Sequence, residues 1–255
     1  MQFFKLATAT IALIGAATVA NAGVIRVSAA DFKPAAGLIT FSNSGAVNPV
    51  YNPADYGSVT GPVVYTGGFF LGQSLSTTPG VDCPGAAASA CVVGNPSGPL
   101  SLDPNSPNVT VRNDGSNPTS PVLSGTPTFN GPIAILFSTD QYGVGFDGGY
   151  FDAIGSTGIT AFARDGSLLG TVTNTGLGIE FLGLVTDNGQ AQIAGVFFEL
   201  VGAEPAGFAI DNLRFAQVGD IVVPGGVPEA ATWALMIAGF GLVGVASRRR
   251  RALAA

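Results

Sequence analysis

The chain has 255 residues, of which 47% are hydrophobic and only 10% are charged, and its formal net charge is −6. Disorder combines low hydrophobicity with high net charge, so this composition excludes a chain that is disordered throughout. Histidine is absent, which excludes Ser-His and Cys-His nucleophile pairs and nearly all ordinary zinc sites. We therefore expect a protein that is not an enzyme, with carboxylate-only catalysis as the remaining catalytic option.

Residues 1–22 have the pattern of a secretory signal peptide. Lys5 gives the segment a positive start, residues 6–20 form an uncharged apolar run, and the segment ends in Ala-Asn-Ala, the small residues that signal peptidase requires. The pattern predicts export through the secretion translocon, removal of the signal by signal peptidase, and a mature chain that begins at Gly23.

The segment that follows, residues 23–223, is acidic and rich in turn-forming residues. Between Gly23 and Val227 five basic residues stand against fifteen acidic ones. Because such a body repels phosphate backbones, we expect no nucleic-acid partner. The whole chain contains 37 glycines and 17 prolines, which favour many turns and few long helices.

Short apolar runs predict an all-β exterior domain over residues 23–223. Asp165-Gly166 and Asp187-Asn188-Gly189 have the composition of hairpin turns, and a Gly-rich turn is expected near residue 148. Short strands at intervals of about ten residues predict a jelly-roll-like β-sandwich. The predicted strands are Leu38–Phe41, Val63–Phe70, Val109–Arg112, Ile133–Ser138, Val144–Phe146, Tyr150–Ile154, Ile159–Arg164, Ser167–Val172, Ile179–Val185, Gln190–Glu199 and Phe208–Phe215.

Cys83 and Cys91 are the only two cysteines, and they lie in one short loop. In an exported protein such a pair is expected to form a disulfide. A metal site would need further Cys or His ligands, and the chain has none.

Four aspartates make a candidate calcium site. Asp211 lies in the last predicted strand, and Asp31, Asp147 and Asp152 are its candidate companions. Carboxylates are the hard oxygen ligands that calcium prefers. The alternative is that Asp211 caps the strand or bonds the adjacent turn, and no D-x-D-x-D-G loop is present. Structural calcium is the only cofactor that the sequence suggests.

Other ligand motifs are weak. Residues 143–148 match G-x-G-x-x-G, but the residues after them do not begin a helix, so we expect no nucleotide site. A carboxylate-based glycan hydrolase would need a pair such as Asp147 and Asp152, which fits the flanks of a turn better. A carbohydrate-binding module would use aromatic side chains, and those of the body include Tyr51, Tyr56, Tyr65, Tyr142 and Tyr150.

The C-terminal tail combines three features in a fixed order. An uncharged stretch, residues 230–247, would rise about 27 Å as a helix, close to the roughly 30 Å of a hydrocarbon core. The arginines after it would remain in the cytoplasm, so the body would lie on the other side of the membrane. In order, the tail contains Pro228, Glu229, Trp233, Ala234, Gly239, Gly241, Arg248, Arg249, Arg250 and Arg251.

This layout, over residues 227–251, resembles the PEP-CTERM sorting signal, in the variant with Pro-Glu-Pro-x-x-Trp-Ala that is found in many alphaproteobacteria. The resemblance implies an exported protein that an exosortase, a membrane-embedded cysteine protease, cuts near the Pro-Glu pair. It also associates the chain with exopolysaccharide, biofilm and the cell surface. Ala230 stands where the second Pro would be and removes a restraint on the backbone of Glu229. The same kind of tail is also described as the C-terminal domain of ice-binding proteins, and nothing in this chain indicates ice binding.

The segment Val144–Phe215 is similar to the exterior domains of other such sorting-signal proteins. The similarity is carried by the runs Asp165–Gly170, Ile179–Leu184 and Phe208–Phe215. It implies a lectin-like jelly roll and assigns no ligand. We expect a non-enzymatic surface or extracellular matrix protein that is anchored in the membrane for a time and then reaches the surface or the medium. A carbohydrate-binding module is the alternative, and a glycan hydrolase is third.

Overall fold

The computed structural model describes residues 23–76, 78, 80–82, 91–205 and 207–223. The predicted signal peptide (1–22), Cys83 and the tail with its predicted transmembrane helix (230–247) lie outside the described residues. Within the described ranges, the chain has no helix of the length and apolar character needed to cross a bilayer.

The described residues form fifteen strands and two short 3-10 helices. The helices are Ala29–Asp31 and Pro53–Tyr56. The strands are β1 (Val24–Val27), β2 (Gly37–Ile39), β3 (Val50–Tyr51), β4 (Val64–Gly67), β5 (Ser74–Leu75), β6 (Val92–Val93), β7 (Thr110–Arg112), β8 (Val122–Ser124), β9 (Ile133–Gln141), β10 (Gly143–Phe151), β11 (Thr157–Phe162), β12 (Leu168–Thr173), β13 (Gly178–Thr186), β14 (Ile193–Leu200) and β15 (Ala209–Ala216).

The strands form two antiparallel sheets and a small separate ribbon. The first sheet has the order β1-β13-β10-β15-β8-β7, with β2 also paired to β15. The second sheet has the order β12-β11-β14-β9-β4-β3, and β5 and β6 make the ribbon. The all-β sandwich that the sequence predicts is therefore confirmed.

The inner core lies between the two sheets. Side chains alternate along a strand, so Val144 and Phe146 of β10 point inward together. Phe146 meets Phe198 of β14 with ring centroids 5.0 Å apart, and Phe198 also contacts Phe208 at 5.1 Å. These aromatic contacts join the first sheet to the second.

Each sheet also carries an apolar cover on its outer face. The loop cover, residues 68–76 and 91–102, packs Phe70 and Leu100 against Phe162 and Phe197 of the second sheet. The terminal cover, residues 28–36 and 217–223, packs on the first sheet near β1 and β13. A strand with both faces covered does not alternate between polar and apolar residues, and β14 is buried at every position.

One predicted hairpin is confirmed and another is wrong. β11 and β12 pair across the Asp165-Gly166 turn as predicted. The turn at Asp187-Asn188-Gly189 does not join a hairpin, because β13 belongs to the first sheet and β14 to the second. β13 pairs with β1 and β10 instead. The apolar residues on both faces of β14 place it inside the second sheet, so the chain crosses the sandwich at this turn.

The Gly-rich turn expected near residue 148 is also wrong. One strand, β10, runs through the whole segment, and its register against β13 shifts between Gly148 and Phe151. Glycine within a strand often marks a close approach of two backbones. A Cβ at Gly149 would lie 2.6 Å from the carbonyl oxygen of Gly178, so this position needs glycine for packing. The G-x-G-x-x-G match lies inside β10 and is not followed by a helix, as expected.

Candidate functional site

The predicted calcium ligands Asp211 and Asp147 lie opposite each other on β15 and β10. Asp211 is fully buried, and one of its carboxylate oxygens accepts a hydrogen bond from the Thr119 hydroxyl. The other oxygen accepts the N–H of Asn212 at 2.7 Å. The side-chain amide of Asn212 donates to Asp147 at 2.8 Å. Protein donors therefore occupy both carboxylates.

The surroundings of Asp211 have opposing effects on the pKa of its carboxyl group. Burial raises the pKa of Asp211 above its ordinary value, the bonds from Thr119 and the Asn212 N–H lower it, and the charge of Asp147 raises it. Asn212 has a φ of +50°, a left-handed conformation that asparagine tolerates. Asp211 thus accepts the N–H of the next residue in its own strand, β15.

The structure does not gather the four predicted calcium ligands into one cluster. Asp31 caps the first 3-10 helix, where its carboxylate accepts the Ser28 N–H at 2.7 Å. Asp152 is exposed, and its N–H donates to Glu204 at 3.1 Å. Across the described parts of the chain, no group of three or more His, Cys, Asp or Glu is placed to hold a metal ion. Calcium binding stays a hypothesis.

Two buried glutamates were missed by sequence reasoning. Glu204 is fully buried and accepts hydrogen bonds from the Ser156 hydroxyl and the Asp152 N–H. Glu199 lies on β14 beneath the loop cover, is 6% exposed, and accepts the Val92 N–H. Burial raises the pKa of Glu199 to about 9, and the bond from Val92 opposes the rise. Both acids follow or sit in apolar runs, and no local signal marks them as buried.

The predicted disulfide lies at the edge of the described residues. Cys91 is 3% exposed and precedes Val92, the residue that bonds Glu199. The described part of the chain contains no free cysteine. Cys83 lies outside it, so the Cys83–Cys91 bridge stays a prediction.

A small cavity of about 270 Å³ lies at the end of β10. Its lining includes Tyr150 together with the carboxylates Asp114 and Asp152. Tyr150 is 49% exposed, and its ring lies near Gly178, where an added Cβ would be 3.5 Å from it. The cavity therefore places an exposed aromatic ring and two aspartates in one lining.

The other tyrosines of the body are less suited to ligand stacking. Tyr51 and Tyr142 are each only 8% exposed, and Tyr65 is 37% exposed on the second sheet. Tyr56 packs edge-on against Phe215 with centroids 5.1 Å apart. It lines a larger cavity of about 520 Å³, but its hydroxyl already donates to the Pro62 carbonyl oxygen at 2.7 Å. Tyr150 is the most exposed of the five.

Comparison with known proteins identifies the tail. Residues 226–251 match the family model described as PEP-CTERM protein-sorting motif, which confirms the predicted sorting signal. The match does not distinguish the Trp-Ala variant or the ice-binding description. No curated protein and no solved structure matches the chain. A motif of this kind marks an exported protein that is held for a time in the membrane and processed by an exosortase.

Proposed function

We propose that this chain, which carries a PEP-CTERM sorting motif, is a non-enzymatic surface protein whose β-sandwich is released outside the cell by an exosortase. The observation that carries the proposal is the motif at residues 226–251. The signal-like residues 1–22 and the cluster Arg248–Arg251 agree with it, because together they direct the body across the membrane.

The body fits a binding or structural role at the surface. It is acidic, and the whole chain lacks histidine, the commonest general base. We propose that the released domain belongs to the exopolysaccharide or biofilm matrix of the cell. The acidic surface favours solubility after release.

Comparing cells with and without the exosortase tests this function. Mass spectrometry of the surface fraction should find a chain that lacks Arg248–Ala255, whereas cells without the protease should retain the intact chain in the membrane fraction. Ala230→Pro should be cut at least as fast as the natural chain, because proline restricts Glu229 to the extended backbone that proteases bind. An intact tail on surface protein from cells that contain the protease would contradict the proposal.

The cavity at Tyr150 favours a second function, the binding of a carbohydrate. Sugars present apolar ring faces that pack on aromatic side chains and hydroxyl groups that donate to carboxylates. Tyr150 offers the ring, and Asp114 and Asp152 offer the acceptors. The ligand class that fits is a neutral or cationic glycan, since two carboxylates repel an anionic one.

A glycan array, followed by calorimetry on any hit, tests the second function. Tyr150→Ala should abolish binding, and Tyr65→Ala should leave it unchanged as the matched exposed tyrosine on the other sheet. Equal binding by both variants would exclude the Tyr150 cavity. Turnover of the native polysaccharide that is lost in Asp147→Asn or Asp152→Asn would instead support the third candidate, a glycan hydrolase.

A further inference from the structure

The last described segment, residues 217–223, is hydrogen-bonded to residues 28–36 near the start of the described chain. Ile221 pairs with Phe32 in an antiparallel bridge. On either side of this pair the Lys33 N–H donates to the Asp220 carbonyl oxygen at 2.9 Å, and the Val222 N–H donates to that of Asp31 at 2.8 Å. The Lys33 ammonium adds a bond to the Gly219 carbonyl oxygen at 2.6 Å.

Apolar contacts support these hydrogen bonds. Ile221 is 6% exposed and packs in a cluster with Phe32, Tyr142 and Val185. Val223 packs against the same cluster. The terminal cover therefore holds the chain in place as far as Val223.

The sorting motif begins a short distance after this fastening. Pro228-Glu229 follows Val223 by only a few residues, and six fully extended residues reach about 20 Å. A domain of about 200 residues has a radius of gyration of about 16 Å. The point where the protease must bind the chain therefore lies at most about 20 Å from Val223, a distance comparable with the radius of the body.

We infer that the pairing of residues 217–223 with residues 28–36 sets the rate at which the exosortase processes this chain. While the terminal cover is closed, the folded body and the protease compete for the space around Pro228-Glu229. Opening of residues 217–223 adds up to about 24 Å of reach and removes that competition. This inference rests on the proposed function.

The terminal cover is suited to such opening. Segments at the edge of a domain that have few hydrogen bonds open locally at a smaller free energy than the whole domain. Residues 217–223 bond mainly to residues 28–36 and lie outside both main sheets. Their release leaves the inner core and the loop cover in place.

The test measures the rate of tail removal in cells that contain the exosortase. A six-residue Gly-Ser insertion after Val223 lengthens the tether with the cover closed, and Ile221→Ala weakens the cover with the tether unchanged. Both variants should be processed faster. Ile221→Ala should gain at least about tenfold, since truncating a buried isoleucine raises the open population by at least that factor.

Matched controls separate the cover from general effects. Val222→Ala changes an exposed neighbour in the same segment, and the same insertion beside Val59, which is 98% exposed, leaves the tether unchanged. Both should be processed at the natural rate. If all variants are cut at equal rates, the terminal cover has no such role and the proposed function stands. If no variant and no natural chain is cut, the proposed function itself fails.

Discussion

The two outer faces of the sandwich are covered in different ways. The loop cover on the second sheet is an internal segment, joined to the sheets at both of its ends, and it encloses Phe70 with no exposed surface. The terminal cover on the first sheet is made of the two ends of the body. Similar apolar packing can therefore differ in persistence, because a segment at the end of a domain can detach without breaking the rest of the fold.

The largest expected effect tests the loop cover. Phe70→Ala removes a fully buried ring whose centroid lies 5.7 Å from that of the Phe162 ring. The variant should lower the free energy of unfolding by about 3–5 kcal/mol. Urea unfolding measures the loss, and Leu71→Ala is the control because Leu71 is 45% exposed. If Phe70→Ala lowers the free energy of unfolding by less than Ile221→Ala does, the loop cover is not the more persistent of the two covers.

The predicted disulfide should add to the persistence of the loop cover. Replacing both Cys83 and Cys91 with serine should lower the free energy of unfolding by about 2–3 kcal/mol, because the closed loop no longer restricts the unfolded chain. Reduced natural protein should behave like the double variant in the same urea titration. Two reactive thiols in the native protein would show that the bridge does not form.

Glu199 makes the loop cover sensitive to pH. Burial raises its pKa from an ordinary value of 4.5 to about 9, so the unfolded chain loses this proton at a lower pH than the folded chain. Between about pH 4.5 and 9 the contribution of Glu199 to stability therefore falls as pH rises.

Glu199→Gln should remove this dependence. The variant keeps an acceptor for the Val92 N–H and should be more stable than the natural protein at pH 8 by at least about 2 kcal/mol, with little difference at pH 4. Urea unfolding at the two pH values gives the comparison. Glu180→Gln, which removes a carboxylate paired with Arg26 at 3.1 Å, is the control and should give no gain at pH 8.

The smallest effect concerns Gly23, the predicted start of the mature chain. The Gly23 nitrogen donates to Asp187 at 2.9 Å, and removal of the signal peptide at this point would make that nitrogen an ammonium. Asp187→Asn should then lower the free energy of unfolding by less than about 1 kcal/mol, as for other exposed ion pairs. Acetylating the mature N-terminus should produce the same loss, and the two changes together should not add. Full additivity would mean that the two groups do not interact.

Much of the fold could be predicted from local pattern. The apolar run at Ile133 and the Asp-Gly turn between β11 and β12 are local features, and both correspond to observed elements. The separation of β13 and β14 into different sheets could not be predicted, because the turn between them looks like a hairpin turn. What separates the two strands is the apolar loop cover, which lies about one hundred residues earlier in the chain.

The candidate sites divide in the same way. The sequence identifies the sorting motif, because the protease and the bilayer both interact with one contiguous segment of the chain. It does not reveal that Asp147 faces Asp211, that Glu199 is buried, or that Tyr150 is the most exposed of five tyrosines. Each of these depends on which distant segment covers the residue.

The amino-acid sequence by itself determined the acidic all-β body and the sorting tail, and it predicts the export signal, because charge, hydropathy and strand propensity act over a few neighbouring residues. Only the tertiary structure decided which strands are neighbours, which carboxyls lose their water and how the two ends of the body are fastened together. Burial and pairing join residues that are far apart in the chain. Their free energy depends on the completed sandwich, and no local pattern contains it.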